Sequence, residues 1–220
     1  GALAAMGWRG AFPVFFALMA IAFVLVLMMN VDETKADVPP SIGSSLALLG
    51  NPTFAMAVLG IFLYVGAEVC MGTFLKPTLT GLGLSAEKSA AFGPSLFFLV
   101  ITAGRLTAGM VKVNPHTFFR LSALLGLIGV GLVMSGNQML ALVGVVLGGL
   151  GSANIWPMLF SITVEEKPEA ASELSGLMCM AISGGAIVPL LMGKLRDGGM
   201  TTLSFAVPAA CFAYLLLLSL

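Results

Sequence analysis

The sequence predicts an all-α polytopic membrane protein of about seven transmembrane helices. Three observations carry this. Of 220 residues, 59% are hydrophobic and 9% charged, against about 25% charged in an ordinary soluble domain. The mean hydropathy is +1.06. The apolar residues fall in continuous runs long enough to span a bilayer as helices, and they lack the short alternation of membrane-barrel strands.

The spans follow in order. The first covers about 8–30. A polar stretch, 31–45, holds Asp32, Glu33, Lys35, Asp37 and the Pro39–Pro40 pair, and reads as a linker between two bundles. The second span, 52–76, ends at Lys76 and Pro77. The third, 90–111, is interrupted by Gly93–Pro94, Gly104 and Gly109. The fourth covers 116–135. The fifth, 139–163, carries Gly144, Gly148, Gly149 and Gly151. The sixth covers 171–195 and the seventh 201–220. Connections are short, so sequential helices are expected to be antiparallel neighbours. Small residues at three- and four-residue spacing let helices approach closely in lipid, which accounts for most of the glycines.

Composition excludes several function classes. Ten basic and ten acidic residues give zero net charge, so there is no basic footprint for nucleic acid. Cys70, Cys179 and Cys211 lie in apolar runs and read as buried small hydrophobes. His116 is the one histidine, and no cluster has metal-ligand spacing, so no metal or cofactor is expected. No nucleophile, acid–base pair or ligand set stands at enzymatic spacing, so an enzyme is not expected.

The stretch GIFLYVGAEVCMGTFL, Gly60 to Leu75, is the most informative. Glu68 is the one carboxylate in its apolar run. A charge near mid-membrane costs roughly 2.5–3.5 kcal/mol on insertion scales, so it normally faces a bundle interior or a wet cavity. Gly60, Tyr64, Glu68 and Gly72 recur every four residues and share a helix face. Two readings stand: a cavity-lining acid that titrates or binds substrate, or a neutral, hydrogen-bonded Glu68 that fixes packing. The default for intramembrane ionisable residues favours the first.

In GLGSANIWPMLFS, Asn154, Trp156 and Pro157 stand together. Pro157 has no N–H, so the carbonyl of Ala153 is freed, and broken helices at mid-membrane are where transporters build sites. Asn154 offers a donor and an acceptor, and Trp156 an indole face, which together suit a polyol. The alternative is that Pro157 merely bends the helix and Asn154 satisfies the freed carbonyl. Ser172, Ser175, Cys179 and Ser183 fall on one face at helical spacing and form a possible second wall; hydroxyls bonding their own backbone is the alternative. Arg105 and Lys112 flank one end of the third span, either snorkelling as anchors or gating with the Glu165, Glu166, Glu169, Glu173 group. With Arg120 they argue that their loop is cytoplasmic, although Lys76, Lys88, Lys194 and Arg196 lie opposite.

YVGAEVCMGTFL (Tyr64 to Leu75), GRLTAGMV (Gly104 to Val111), NIWPMLFSI (Asn154 to Ile162) and SGGAIVPLLMGKLRD (Ser183 to Asp197) together resemble the major facilitator superfamily, and within it the fucose/glucose–galactose permease group of sugar:proton symporters. The resemblance implies twelve helices in two halves. On that pattern 1–30 holds the last helix of the N-terminal half, 31–45 is the central cytoplasmic linker and 46–220 is the C-terminal six-helix bundle. The first five helices would then be missing, together with most proton-coupling carboxylates. Glu68 matches a polar seventh-helix position, which implies sugar binding rather than sole proton carriage. Asn154 and Trp156 match the tenth-helix cavity region, where relatives carry smaller or hydroxylated aromatics in place of Trp156.

The expected function is proton-coupled uptake of a monosaccharide of fucose, glucose or galactose type, by alternating access in the inner cell membrane. Glu68, Tyr64, Asn154, Trp156 and Ser183 would bind substrate, and Glu68 and Arg105 would gate or couple. The expected partners are the sugar, protons, the lipid bilayer and the missing N-terminal half. The alternative function is a facilitator of another small solute, an organic acid or a drug.

Overall fold

A computed structural model describes residues 10–29, 41–110 and 114–220. Trp8, Lys112 and the linker residues 31–40 lie outside the described residues. The chain divides into two units, before and after Pro40. In the first, α1 (Ala11–Met28) is an apolar helix of eighteen residues.

The second unit opens with α2 (Ile42–Leu48), a short helix that begins in the stretch expected to be linker and runs three residues past it. A reciprocal cap starts it. Ser41 Oγ accepts from Ser44 N at 3.0 Å, and Ser44 Oγ accepts from Ser41 N at 3.1 Å. The polarity of these serines reads as linker, but it is the polarity of a helix start.

Then α3 (Pro52–Gly81) runs for thirty residues, capped by Asn51 with Pro52 at its first position. It passes through Pro77 and does not end at Lys76. Pro77 removes the helical donor to Thr73 O, and side chains add bonds around the turn that follows. Thr78 Oγ1 donates to Phe74 O at 2.7 Å and Thr80 Oγ1 to Lys76 O at 3.0 Å. Arg196 Nη1 donates to Thr78 Oγ1 at 2.9 Å. The helix stops where Gly83 adopts φ +96°, with Leu84 N bonded back to Leu79 O at 3.1 Å.

Next, α4 (Ala86–Ala108) begins at the Ser85 cap, earlier than position 90. At Ala91–Ser95 it widens into a π turn around Gly93 and Pro94. The extra residue absorbs the missing proline N–H without ending the span. α5 (Pro115–Met134) and α6 (Gln138–Ser152) are capped by Asn114 and Asn137. α7 (Ile155–Glu166) completes the fifth expected span after a break at Ala153–Asn154. α8 (Ala171–Met180) and α9 (Gly184–Asp197) form one span with a 3-10 turn, Ala181–Ser183, between them. A 3-10 turn, Leu203–Phe205, leads into α10 (Ala206–Leu218).

Among the described residues five stretches are long and apolar enough to cross a membrane, and α1 and α10 supply two shorter apolar helices. The total agrees with the seven expected from sequence. α3 is the centre of the second unit and packs against α4, α7, α9 and α10. Ile61, Ala67, Cys70, Met71 and Leu75 are fully buried along it. A helix apolar on every side belongs in such a position.

Sequential helices are neighbours in part. α5 and α6 pack along their length, whereas α9 and α10 scarcely meet, and each lies on α3. Small residues explain both arrangements. Gly129 faces the backbone of Gly148, and Gly144 the backbone of Gly129, so α5 and α6 touch main chain to main chain. Gly66 of α3 seats Val188 of α9, and Gly60 seats Leu218 of α10.

A Cβ on Gly129 would overlap Gly148, whereas one on Gly131 meets nothing within 4 Å. Gly129→Val is therefore expected to cost at least the upper end of the ~1–3 kcal/mol typical of overpacking. It should abolish the monodisperse peak in detergent gel filtration, while Gly131→Val leaves that peak intact.

Candidate functional site

The site is built on the break between α6 and α7. In a membrane the backbone groups freed by such a break need protein partners, and two consecutive carbonyls find them while the next residue bonds back to α4. Tyr64 Oη of α3 donates to Ser152 O at 2.8 Å. Arg105 Nε of α4 donates to Ala153 O at 2.9 Å. Asn154 Nδ2 donates to Gly104 O at 3.2 Å. The Ala153 carbonyl, which Pro157 leaves without a helical donor, is thus met by Arg105 and not by Asn154.

A cavity of about 360 Å³ lies beside this break, lined by Tyr64, Val65, Glu68, Arg105, Trp156, Pro157 and Ile182. It has the volume of a small-molecule pocket. Glu68 is half-buried on its wall. Tyr64 is 1% exposed, and both Glu68 and Arg105 act electrostatically on its hydroxyl. That hydroxyl donates to Ser152 O, and Glu68 stands one helical turn further along the same cavity wall. Trp156 stacks on Phe160 with centroids 5.0 Å apart and an interplanar angle of 20°. The indole is held in place and offers a flat apolar face to the cavity.

The structure brings Tyr64, Glu68, Arg105 and Trp156 together, and it separates the other two candidates from them. Asn154 is 5% exposed and lines a neighbouring cavity of about 250 Å³ with Phe118 and Ser122. Its amide is spent on the backbone of α4. Ser183 is exposed and does not line the cavity, and Ile182 beside it does. Ser172 and Cys179 are likewise exposed, and Ser175 is half-buried. Arg105 contacts the Ala153 carbonyl rather than the acidic group at the end of α7, where Glu165 Oε1 accepts from Ser161 Oγ at 2.6 Å. Val65 and Ile182 are lining residues that the sequence reading missed. Val65 stands three residues before Glu68, one helical step away, so its place was inferable. Ile182 carries no chemical signal.

An acceptor, a guanidinium with N–H groups beyond Nε, and an indole plane surround one small volume. This set can bind a compact solute that carries several hydroxyls. Among the described residues no group of three His, Cys, Asp or Glu side chains is placed to hold a metal.

Comparison with known proteins agrees with this architecture. The chain is 30% identical over 207 residues to a glucose/galactose transporter of Brucella abortus, covering 91% of this chain and 49% of that protein. It is 29% identical over 220 residues to a putative glucose/galactose transporter of Helicobacter pylori, covering 94% and 52%. It is 21% identical over 210 residues to the L-fucose-proton symporter of Haemophilus influenzae, covering 90% and 48%. A crystal structure of the E. coli fucose:proton symporter superposes with a TM-score of 0.79 at 20% identity, covering 96% of this chain and 54% of that one. At that identity the likeness shows a shared fold. The chain spans about half the length of the curated relatives it matches. The sequence model of the Major Facilitator Superfamily matches residues 1–190, and the chain belongs to that superfamily, as an integral membrane protein of a transporter family.

Proposed function

We propose that this chain serves as the sixth helix, central linker and C-terminal half of a proton-coupled monosaccharide transporter of the inner membrane. The observation that carries the reading is the joint lining of one cavity by Glu68, Arg105, Tyr64 and Trp156 beside a broken helix. The names of the relatives, glucose/galactose transporters and a fucose-proton symporter, support a hexose or deoxyhexose as solute. Glu68 accepts from sugar hydroxyls, Arg105 donates from the N–H groups not used on Ala153, and the Trp156 indole covers an apolar ring face. The two halves rock about this site and open it to each side in turn. Proton binding, largely at carboxylates of the other half, biases the two states through differential affinity.

One observation favours the second reading. A guanidinium on the cavity wall also suits the carboxylate of an organic acid. Competition of uptake by monosaccharides against small organic acids separates the two.

The central test is Glu68→Gln in the full-length transporter. A hydrogen bond to a charged acceptor contributes about 1.5–3 kcal/mol, so sugar affinity should fall on the order of ten- to a hundredfold. Tight-binding calorimetry and proteoliposome uptake read this, with gel filtration confirming folded protein. Unchanged binding and uptake in the variant would sink the assignment.

Tyr64→Phe tests the support of the site. It leaves the buried Ser152 carbonyl without its donor, at a cost of about 1–3 kcal/mol. The melting temperature in detergent should drop, and binding should weaken through the displaced break. Arg105→Ala should act the same way at Ala153, and Arg105→Lys should restore little, because a lysine does not reproduce the guanidinium geometry.

A further inference from the structure

The cavity of about 250 Å³ beside Asn154 shares no lining residue with the site described above. It lies between α4, α5 and α6. Phe118, Leu121, Leu125 and Leu150 give it apolar walls, and no charged side chain lines it. Leu121 and Leu150 are exposed, so its mouth opens on the flank of two membrane spans.

Two of its polar side chains are buried and unspent. Ser122 is 3% exposed, and among the described residues its hydroxyl has no hydrogen-bond partner. A helical hydroxyl ordinarily bonds a carbonyl one turn back, as Thr102 and Thr107 of α4 do. Ser122 does not, and it lines the cavity. Asn154 is 5% exposed, and its Nδ2 is engaged on Gly104 O. Its Oδ1 accepts from no described residue. The two side chains belong to one level of the bundle, because Ser122 O lies against Gly151, three residues before Asn154. A polar group buried without a partner is costly, and two of them in one cavity point to a ligand.

We propose that this cavity binds a small neutral alcohol dissolved in the bilayer. The alcohol hydroxyl donates to Asn154 Oδ1 and accepts from Ser122 Oγ, and its hydrocarbon chain lies against Phe118, Leu121 and Leu150. The lining selects this class. Without a charge on the wall, a phosphate or an ammonium finds no counterion. One acceptor and one hydroxyl match a single hydroxyl group, whereas a sugar would leave most of its hydroxyls against leucine. An acyl chain would leave both polar groups unpaired. Waters pair with the polar floor but do not fill a volume walled by leucine and phenylalanine. The mouth lies within the spans, so the ligand arrives by partition into lipid. The assignment is independent of the solute carried at the Glu68 site.

The experiment uses the full-length protein in its own membrane and a photo-reactive alcohol, octanol with a diazirine on its chain. Octane with the same diazirine is the comparison. Peptide mass spectrometry reads adduct yield at Phe118, Leu121 and Leu150 relative to Leu124 and Ile128, exposed positions of the same bundle on α5. The alcohol should label the lining several-fold above Leu124 and Ile128, and plain octanol should compete with it. The alkane should show no such preference. Ser122→Ala should lower the preference about two- to tenfold, the worth of one neutral hydrogen bond. Equal labelling patterns for alcohol and alkane in the unmutated protein would overturn the proposal. So would a lining labelled no more than Leu124 and Ile128, as when the other half covers the mouth, and so would a preference unchanged by Ser122→Ala.

Discussion

The bundle depends on how the break before Pro157 is satisfied. Nothing in the hydrocarbon supplies a hydrogen bond, so a missing helical donor must be replaced from another helix. Here Tyr64 of α3 donates to Ser152 O and Arg105 of α4 to Ala153 O, while Asn154 donates back to Gly104 O of α4. Those bonds fix three helices relative to one another at the depth of the cavity. They also set the chemistry. Tyr64 donates to the backbone, and Glu68 lines the cavity beside it. Arg105 spends one nitrogen, which orients the rest of its guanidinium along the cavity wall.

The close packing around this arrangement has a steric origin. The α5–α6 seam brings main chain against main chain at Gly129, Gly144 and Gly148, so the dispersion that drives association in lipid acts over the whole contact. α3 is gripped in two ways: Val188 and Leu218 seat on its Gly66 and Gly60, and Gly184 of α9 lies against the Phe62 backbone. Both seams resist sliding of one backbone past the other.

The spans were legible because the length of an apolar run is a strong signal, and Glu68 and Tyr64 were legible because a polar residue is conspicuous in such a run. What depends on partners far away in the chain was hidden. Asn154 has the right chemistry for a sugar, yet its amide is taken by Gly104, fifty residues earlier. Pro77 carries a stop signal, yet α3 runs on to Gly81. Arg105 reads as an anchor or a gate, and its use as the donor to a carbonyl freed by Pro157 rests on the crossing of α4 with the α6–α7 break. Ser41 and Ser44 read as linker because a reciprocal cap and a polar loop share a composition.

The 3-10 turn at Ala181–Ser183 resets the angular register of the span that contains it. A 3-10 helix advances about 120° per residue and an α-helix about 100°. Three such residues add about 60° of rotation, so a stripe read along α8 does not continue onto α9. Ile182 turns to the cavity, and Ser183 beside it does not line it. The aim of the one side chain of this span that meets the cavity is therefore set by the turn itself and not by the periodicity of the helix on either side.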